Sequence, residues 1–429
     1  MTSPRPGVAA PPRLFYGWVV VGASTCMVAA GVGVGQSFAV FVEPLAEAFG
    51  ASRSGVSLVY SLHMAVFGAS SVLMGALADR YGTRRVALMG GALYAVGLLI
   101  TGAAQTIWHF ALAFGLVAGT GVGALHSPLS YLAAKWFDRR KGLAMGIVLS
   151  GTGLGIMLAS PFARYAMARW GGWRPAILLL GGAALATILV AGTFLRDDPR
   201  LLGLAPDGRP ASPITPSAST AAGAGGAPGG WTTATAVRTR PFWLLLATFF
   251  FCCTSHSGPT LHAVACMTGR GLTARAAAGM MSLFGGASIV GRIGMGRLAD
   301  WMGGKPSLLI SLAVQAAAAW WISGAESPAA FAAFAVLFGL AFGGVYAQYP
   351  VITREYFGAT GVGAVYGSQM FLSQLGMAVG GLATGTLYDL TGGYRGPFLV
   401  NALSGLLALA LALGLARPQP PNAPPTTTA

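Results

Sequence analysis

Long apolar segments recur along the whole chain, and short polar segments separate them. Each apolar segment has about 20 residues or more, the length of helix that crosses a bilayer core about 30 Å thick. The segments do not alternate between apolar and polar residues, as the strands of a membrane barrel do. Because backbone polar groups must be hydrogen-bonded inside lipid, the pattern predicts an all-α membrane protein with twelve transmembrane helices. The twelve segments are residues 15–42, 53–77, 85–105, 108–134, 142–165, 174–195, 240–268, 275–299, 306–325, 328–352, 360–387 and 396–416.

Charged residues are scarce and unevenly placed. They make up 9% of the chain, against about 25% in soluble domains, which excludes an ordinary soluble enzyme. With both termini cytoplasmic, 18 of the 26 Lys and Arg residues fall on the cytoplasmic side and seven on the outer side. This excess follows the positive-inside rule, so we predict a multi-pass protein with both termini in the cytoplasm. The net charge of +15 is then a topology signal rather than a nucleic-acid surface.

A segment rich in Pro, Gly, Ser and Ala interrupts the pattern between the sixth and seventh helices. Such a composition cannot bury a core and is typical of a flexible linker. It divides the helices into two groups of six. The sequence therefore predicts a cytoplasmic N-terminal tail (1–14), a first six-helix bundle (15–196), a flexible cytoplasmic linker (197–239), a second six-helix bundle (240–416) and a cytoplasmic C-terminal tail (417–429).

Two motifs recur in the second group of helices at nearly the same offset. GALADRYGTRR, from Gly75 to Arg85, matches GRLADWMGGK, from Gly296 to Lys305, at an offset of 221. Further along, the surroundings of His126 match those of Tyr346 at an offset of 220. Two independent matches indicate an internal repeat. Six-helix units repeated in parallel are typical of transporter halves related by an axis along the membrane normal.

The segment from Gly75 to Arg85 resembles the signature loop of the major facilitator superfamily, and all the specified positions are present. The resemblance implies the major facilitator fold, in which twelve helices form two pseudo-symmetric six-helix bundles. In that family the loop lies on the cytoplasmic side and acts as a gate. The second copy is degenerate, because no basic residue follows Asp300 or Lys305 directly. The gating residues that the resemblance implies are Gly75, Asp79, Arg80, Gly82, Arg84, Arg85 and Asp300.

A narrower resemblance is to the monocarboxylate transporters, a group that includes the oxalate–formate antiporter. Three stretches carry it: FYGWVVV at 15–21, KWFDRRKGLAMGI at 135–147, and the region from LHAVACMTGRGL to SLFGGASIVGRIGMGRLAD at 261–300. The resemblance implies a symporter or antiporter that moves a small organic monocarboxylate by alternating access.

Arg292 lies inside the eighth predicted helix, seven residues from its cytoplasmic end and so about 10 Å deep. A charge in mid-membrane costs at least about 2.5–3.5 kcal/mol and usually faces a cavity. The eleven acidic residues all lie in loops or at helix ends, so Arg292 has no obvious permanent partner. A guanidinium suits a carboxylate in two-point contact, and the substrate-binding arginine of the monocarboxylate group falls on Arg292. The alternative is a structural arginine bound to backbone carbonyls.

The same resemblance supplies the other candidate site residues. The group's two substrate-contacting tyrosines fall on His126 and Tyr346, and a recurrent histidine of the seventh helix falls on His262. A lysine of the first helix is replaced by Gln36, and the acid of proton-coupled members is replaced by Ser288, which leaves proton coupling open. The substrate-binding candidates are Arg292, His126, Tyr346, Gln36, His262, Gln369 and Ser373.

Three functional classes stay open from the sequence. The first is a transporter of monocarboxylates of the lactate, pyruvate or 2-oxo acid type. The second is a major facilitator exporter of amphipathic or drug-like compounds, and the third is a membrane sensor that does not transport.

No Walker sequence, metal-ligand spacing or nucleophile triad is present, so we expect no enzyme activity and no cofactor, metal, ATP or nucleic acid. The expected partners are a carboxylate substrate and the lipid bilayer, and the expected oligomeric state is a monomer. The Ala-, Gly- and Arg-rich composition indicates a bacterium, and therefore the inner membrane.

Overall fold

The part of the chain that the structure describes forms twelve long helices, as the hydrophobic pattern predicts. The computed structural model describes residues 15–137, 139–208, 231, 233–358 and 362–418. The helices are α1 (Tyr16–Phe49), α2 (Arg53–Tyr81), α3 (Thr83–Gly102), α4 (Ile107–Lys135), α5 (Lys141–Trp170), α6 (Trp173–Phe194), α7 (Arg240–Gly269), α8 (Ala274–Met302), α9 (Gly304–Gly324), α10 (Pro328–Phe357), α11 (Val362–Thr391) and α12 (Arg395–Leu413).

Eleven of these helices are long and apolar enough to cross a membrane. The twelfth, α7, has 30 residues, but polar residues occupy its centre, including Ser255, His256 and Ser257. All three are buried against neighbouring helices. Since they do not face lipid, they need not be apolar. Several helices also run past the predicted apolar segments; α10, for example, ends at Phe357 rather than at 352, because a helix can continue beyond the hydrocarbon core.

The helices divide into two bundles, α1–α6 and α7–α12, which confirms the predicted architecture. Between the bundles, α2 packs along α11 and α5 packs along α8. Glycines permit the second contact: a Cβ atom on Gly285 would lie 2.6 Å from the carbonyl oxygen of Gly153. The Gly-rich stretches inside the helices therefore serve close packing.

The described start of the linker and the beginning of α1 lie at one end of the bundles, where Gly208 is beside Phe15. We call this end the linker face. The first part of the predicted linker packs against the first bundle. Asp197 accepts a hydrogen bond from the Arg84 amide at 2.8 Å, and Asp207 donates its amide to the Trp136 carbonyl at 3.1 Å. Residues 209–230 and 232, the predicted tail at 1–14, and the predicted tail at 417–429 apart from its first two residues lie outside the described residues.

Candidate functional site

A vestibule of about 950 Å³ opens between the two bundles at the linker face. Residues of α2, α4, α7 and α11 line it, among them Asp79, Lys135 and Tyr131 near the mouth, and Tyr366 and Met370. Tyr366 also interacts electrostatically with Arg292. Tyr366 therefore belongs both to the lining of the vestibule and to the surroundings of the buried arginine.

The opposite face of the molecule is closed by polar contacts between the bundles. Asp389 of α11 accepts hydrogen bonds from the backbone amides of Arg53 (3.0 Å) and Ser54 (2.8 Å), at the beginning of α2. Glu43 of α1 accepts one from Thr268 of α7 at 2.9 Å and pairs with Arg53 at 3.3 Å. Asp389 thus caps a helix of the other bundle, where free amides and the helix dipole favour a negative charge.

His262 belongs to this closed face. Its Nε2 lies 3.0 Å from the Ser57 hydroxyl of α2 and 3.4 Å from the Gly381 carbonyl, and its Nδ1 lies 3.3 Å from the Tyr394 hydroxyl. Ser57 belongs to the first bundle, and the other partners belong to the second. The structure therefore places this predicted substrate-binding residue in the contact that closes the opposite face, with partners for both ring nitrogens.

Arg292 lies ten residues before the end of α8 and is 6% exposed. Its Nε and Nη1 atoms have no hydrogen-bond partner, and no carboxylate of the described residues pairs with it. Its guanidinium carbon lies 5.4 Å from the centre of the Tyr346 ring of α10. Close approach of α10 makes this contact possible, since a Cβ atom on Gly343 would lie 3.0 Å from the Arg292 amide nitrogen.

His126 marks a break in α4. The helix tightens into a 3-10 turn at Gly123–Leu125, His126 adopts φ −106° and ψ −81°, and Pro128 begins the next helical turn. Proline lacks an amide donor and clashes with the preceding turn, which explains the break. The imidazole is buried against Phe67, its Nδ1 has no partner, and it is close enough to Arg292 for electrostatic interaction. The structure therefore brings Arg292, Tyr346 and His126 together.

The remaining predicted substrate-binding residues are buried and hydrogen-bonded to other residues of the helices. Gln36 of α1 accepts a hydrogen bond from the Tyr60 hydroxyl at 2.8 Å. The Gln369 oxygen of α11 accepts a hydrogen bond from Thr353 of α10 at 3.0 Å. The Nε2 atom of Gln369 has no partner among the described residues. Ser373 donates to the Met370 carbonyl of its own helix at 2.7 Å.

The two copies of the signature loop have the same backbone geometry. Gly82 has φ +91° and Gly303 has φ +90°, values that favour glycine. After each glycine a carboxylate accepts an amide: Asp197 from Arg84, and Glu355 from Gly304 at 3.1 Å. The remaining predicted gating residues Gly75, Asp79, Arg80, Arg85 and Asp300 lie at the same ends of α2, α3 and α8.

Sequence reasoning missed the residues that complete the site's walls. Tyr366 was among them, and so were Phe249 and Phe342, whose rings lie 5.8 Å and 5.4 Å from that of Tyr346. None of the three carries a motif. Only the meeting of α7, α10 and α11 brings Phe249 and Phe342 to Tyr346 and Tyr366 into the neighbourhood of Arg292, and a single sequence does not give that packing.

Among the described residues, twelve long helices, eleven of them long and apolar enough to cross a membrane, form two bundles around a buried polar site. This is the architecture of a membrane transporter. The chain belongs to the Major Facilitator Superfamily: the sequence model of that family matches residues 21–380 and 302–429.

Two curated relatives indicate which group of the superfamily this chain resembles. The chain is 32% identical to monocarboxylate transporter 11 of Mus musculus over 438 residues, covering 97% of this chain and 91% of that protein. It is 30% identical to monocarboxylate transporter 13 of Bos taurus over 398 residues, covering 91% and 87%. Within the superfamily the chain therefore resembles the monocarboxylate transporters.

Solved structures agree on the fold. A bacterial homologue of the human lysosomal transporter Spinster, crystallised in an inward-facing, unoccupied conformation, superposes with a TM-score of 0.72. The match covers 93% of this chain and 97% of that one at 16% identity. At this identity the likeness concerns the fold alone.

Proposed function

We propose that this protein is a secondary transporter of a small organic monocarboxylate, of the lactate, pyruvate or 2-oxo acid type. One observation carries the proposal: Arg292 is buried in the membrane-spanning region with two guanidinium nitrogens unpaired and no carboxylate beside it. An unpaired buried charge is costly, and a substrate carboxylate would relieve that cost.

The surroundings of Arg292 suit a single carboxylate. The guanidinium can hold both carboxylate oxygens through its planar fork of donors. The Tyr346 ring stabilises the cation from one side, and the unpaired Nδ1 of His126 offers a further polar contact. With one arginine, the site should prefer a monoanion, because a dianion such as oxalate would leave one charge unpaired.

The two faces of the molecule support transport by alternating access. The vestibule leads from the linker face towards Tyr366, while Asp389, Glu43 and His262 close the opposite face. Release of the closing contacts and closure of the vestibule would expose Arg292 to the other side. Because basic residues concentrate at the linker face, we propose that this face is cytoplasmic and that the membrane is a bacterial inner membrane.

The choice of coupling ion depends on which groups near Arg292 can change charge. Ser288 donates a hydrogen bond to the Gly285 carbonyl at 2.8 Å and cannot titrate near neutral pH. Gln36 is equally neutral, so a proton would have to travel on His126 or with the substrate. Proton symport and anion exchange are the two mechanisms to be compared. We propose a monomer in the lipid bilayer, driven by gradients rather than by ATP and without a nucleic-acid partner.

Uptake into liposomes tests this function. Labelled lactate, pyruvate, a branched 2-oxo acid and oxalate are compared with and without an inward proton gradient, using wild type, Arg292→Ala and Arg297→Ala. Arg297 is the matched control, since it lies on the same helix but is exposed. We expect monocarboxylate uptake that Arg292→Ala abolishes and Arg297→Ala retains. Acceleration by the proton gradient would indicate symport, and stimulation by internal substrate would indicate exchange. Absence of uptake of every acid would contradict the proposal.

A second candidate function, export of amphipathic compounds, is favoured by apolar side chains in the vestibule, such as Val72, Leu246 and Phe371. An amphipathic cargo would partition onto these side chains without needing Arg292. Efflux of a cationic dye that survives Arg292→Ala, in a protein that moves no carboxylate, would support this alternative.

A further inference from the structure

His256 of α7 is a fully buried histidine, and neither of its ring nitrogens has a nitrogen or oxygen hydrogen-bond partner among the described residues. The other buried histidines differ. His63 has its Nδ1 2.8 Å from the Phe114 carbonyl, His262 has partners on both nitrogens, and His126 has one buried nitrogen without a partner, Nδ1. A neutral imidazole has one donor and one acceptor, and burial of both unpaired is unfavourable. His256 therefore has hydrogen-bonding capacity that no nitrogen or oxygen atom of the described residues uses.

The imidazole of His256 lies beside the proposed substrate site. Its ring centre is 5.0 Å from that of Phe342 and 6.0 Å from that of Tyr346, both on α10. Tyr346 is also the ring over which Arg292 lies. The Cys252 thiol, one turn earlier on α7, is a weak hydrogen-bond partner of the imidazole. It can occupy at most one ring nitrogen, and neither nitrogen has an oxygen or nitrogen partner among the described residues.

We propose that His256 is a specificity-determining residue that pairs with a substrate oxygen other than the two carboxylate oxygens bound by Arg292. This inference rests on the proposed function. A neutral imidazole can donate to a keto oxygen, and it can accept from or donate to a hydroxyl. The transporter should therefore select carboxylates with a second oxygen, such as 2-oxo and 2-hydroxy acids, over unsubstituted acids of the same length.

The expected discrimination is large. A site built to hydrogen-bond a substrate oxygen rejects an analogue that lacks it, because the buried polar group of the site is then left unpaired. Pyruvate, lactate and propionate share a three-carbon chain and a carboxylate, and differ only at the second carbon. The ratio of pyruvate to propionate transport efficiency isolates this contact from that of Arg292.

The test measures this ratio in liposomes for wild type, His256→Leu, His256→Gln and Ser255→Ala. Ser255 is the matched control: it is the neighbouring residue, also buried, and its hydroxyl also lacks a partner, but it lies towards Gly405 of α12. We expect wild type and Ser255→Ala to favour pyruvate by at least about tenfold, a modest part of what such contacts achieve. His256→Leu should lose this preference, and His256→Gln, which keeps a donor and an acceptor, should retain part of it.

A merely structural His256 would change transport of both acids equally and leave the ratio as in wild type; that result overturns the inference while the role of Arg292 stands. Equal wild-type transport of pyruvate and propionate would also overturn it. Failure of wild type to move any of the three acids would instead contradict the proposed function itself. Should His256→Leu not fold, His256→Phe keeps an aromatic ring against Phe342 and gives the same readout.

Discussion

Arg292 lies over the ring of Tyr346, with its guanidinium carbon 5.4 Å from the ring centre. The two residues belong to neighbouring helices, α8 and α10, and both are buried. The ring stabilises a cation that has no carboxylate partner and leaves the Nε and Nη1 atoms free for a ligand. The pairing explains how a charge persists inside the bundle between transport events.

Tyr346→Leu should weaken substrate affinity. The variant removes a desolvated cation–π contact worth about 2 kcal/mol, so the guanidinium is held less firmly and Kd should rise by up to about thirtyfold. Tyr346→Phe retains the ring and should stay within a few-fold of wild type. Titration of purified protein with pyruvate measures both values. Equal loss in the two variants would assign the effect to the hydroxyl instead of the ring.

Asp389→Ala should shift the protein away from the conformation that is closed at the opposite face. The carboxylate caps α2 across the two bundles, and loss of a helix cap costs about 1 kcal/mol, or about fivefold in the population ratio. Spin labels on the α1–α2 and α11–α12 loops report the change as a longer distance. Glu326→Gln is the control, because Glu326 is exposed on the same face of the same bundle. An unchanged distance distribution in Asp389→Ala would refute the capping role.

Gly285→Ala should destabilise the contact between α5 and α8. Its Cβ atom would lie 2.6 Å from the Gly153 carbonyl oxygen, and overpacking typically costs about 1–3 kcal/mol. Gly294 lies on the same helix, but a Cβ atom there would meet no atom within 4 Å. Gly294→Ala should therefore raise the free energy of unfolding by about 0.5–1 kcal/mol, as expected for a helical glycine. Thermal unfolding in detergent separates the two, with a lower Tm expected for Gly285→Ala alone. A similar Tm for both variants would mean that the bundles adjust without strain.

The fold was predictable because helices in lipid must be long, apolar and internally hydrogen-bonded. The prediction was least direct for α7, where buried polar residues such as His256 interrupt the hydropathy signal without facing lipid. Helix ends were less predictable, since α10 continues to Phe357 beyond the apolar segment.

The candidate site was predictable only in part. The repeat offset paired His126 with Tyr346, and the structure brings both to Arg292. His262 lies elsewhere, near the end of α7 that forms the closed face. The position of His262 along α7 indicates this location, whereas the resemblance to a family does not. Asp389 acts across the contact between the bundles, and Tyr366 acts across a contact between two helices of the second bundle. No local sequence pattern reveals either contact.

Binding of pyruvate to the purified protein tests the central claim most directly. Calorimetric titration compares wild type, Arg292→Lys, Arg292→Gln and the exposed control Arg297→Ala. We expect saturable binding in wild type and Arg297→Ala, weaker binding in Arg292→Lys because a point charge lacks the guanidinium fork, and no measurable binding in Arg292→Gln. An unchanged pyruvate affinity in a folded Arg292→Gln protein would contradict the assignment of Arg292 as the carboxylate-binding residue.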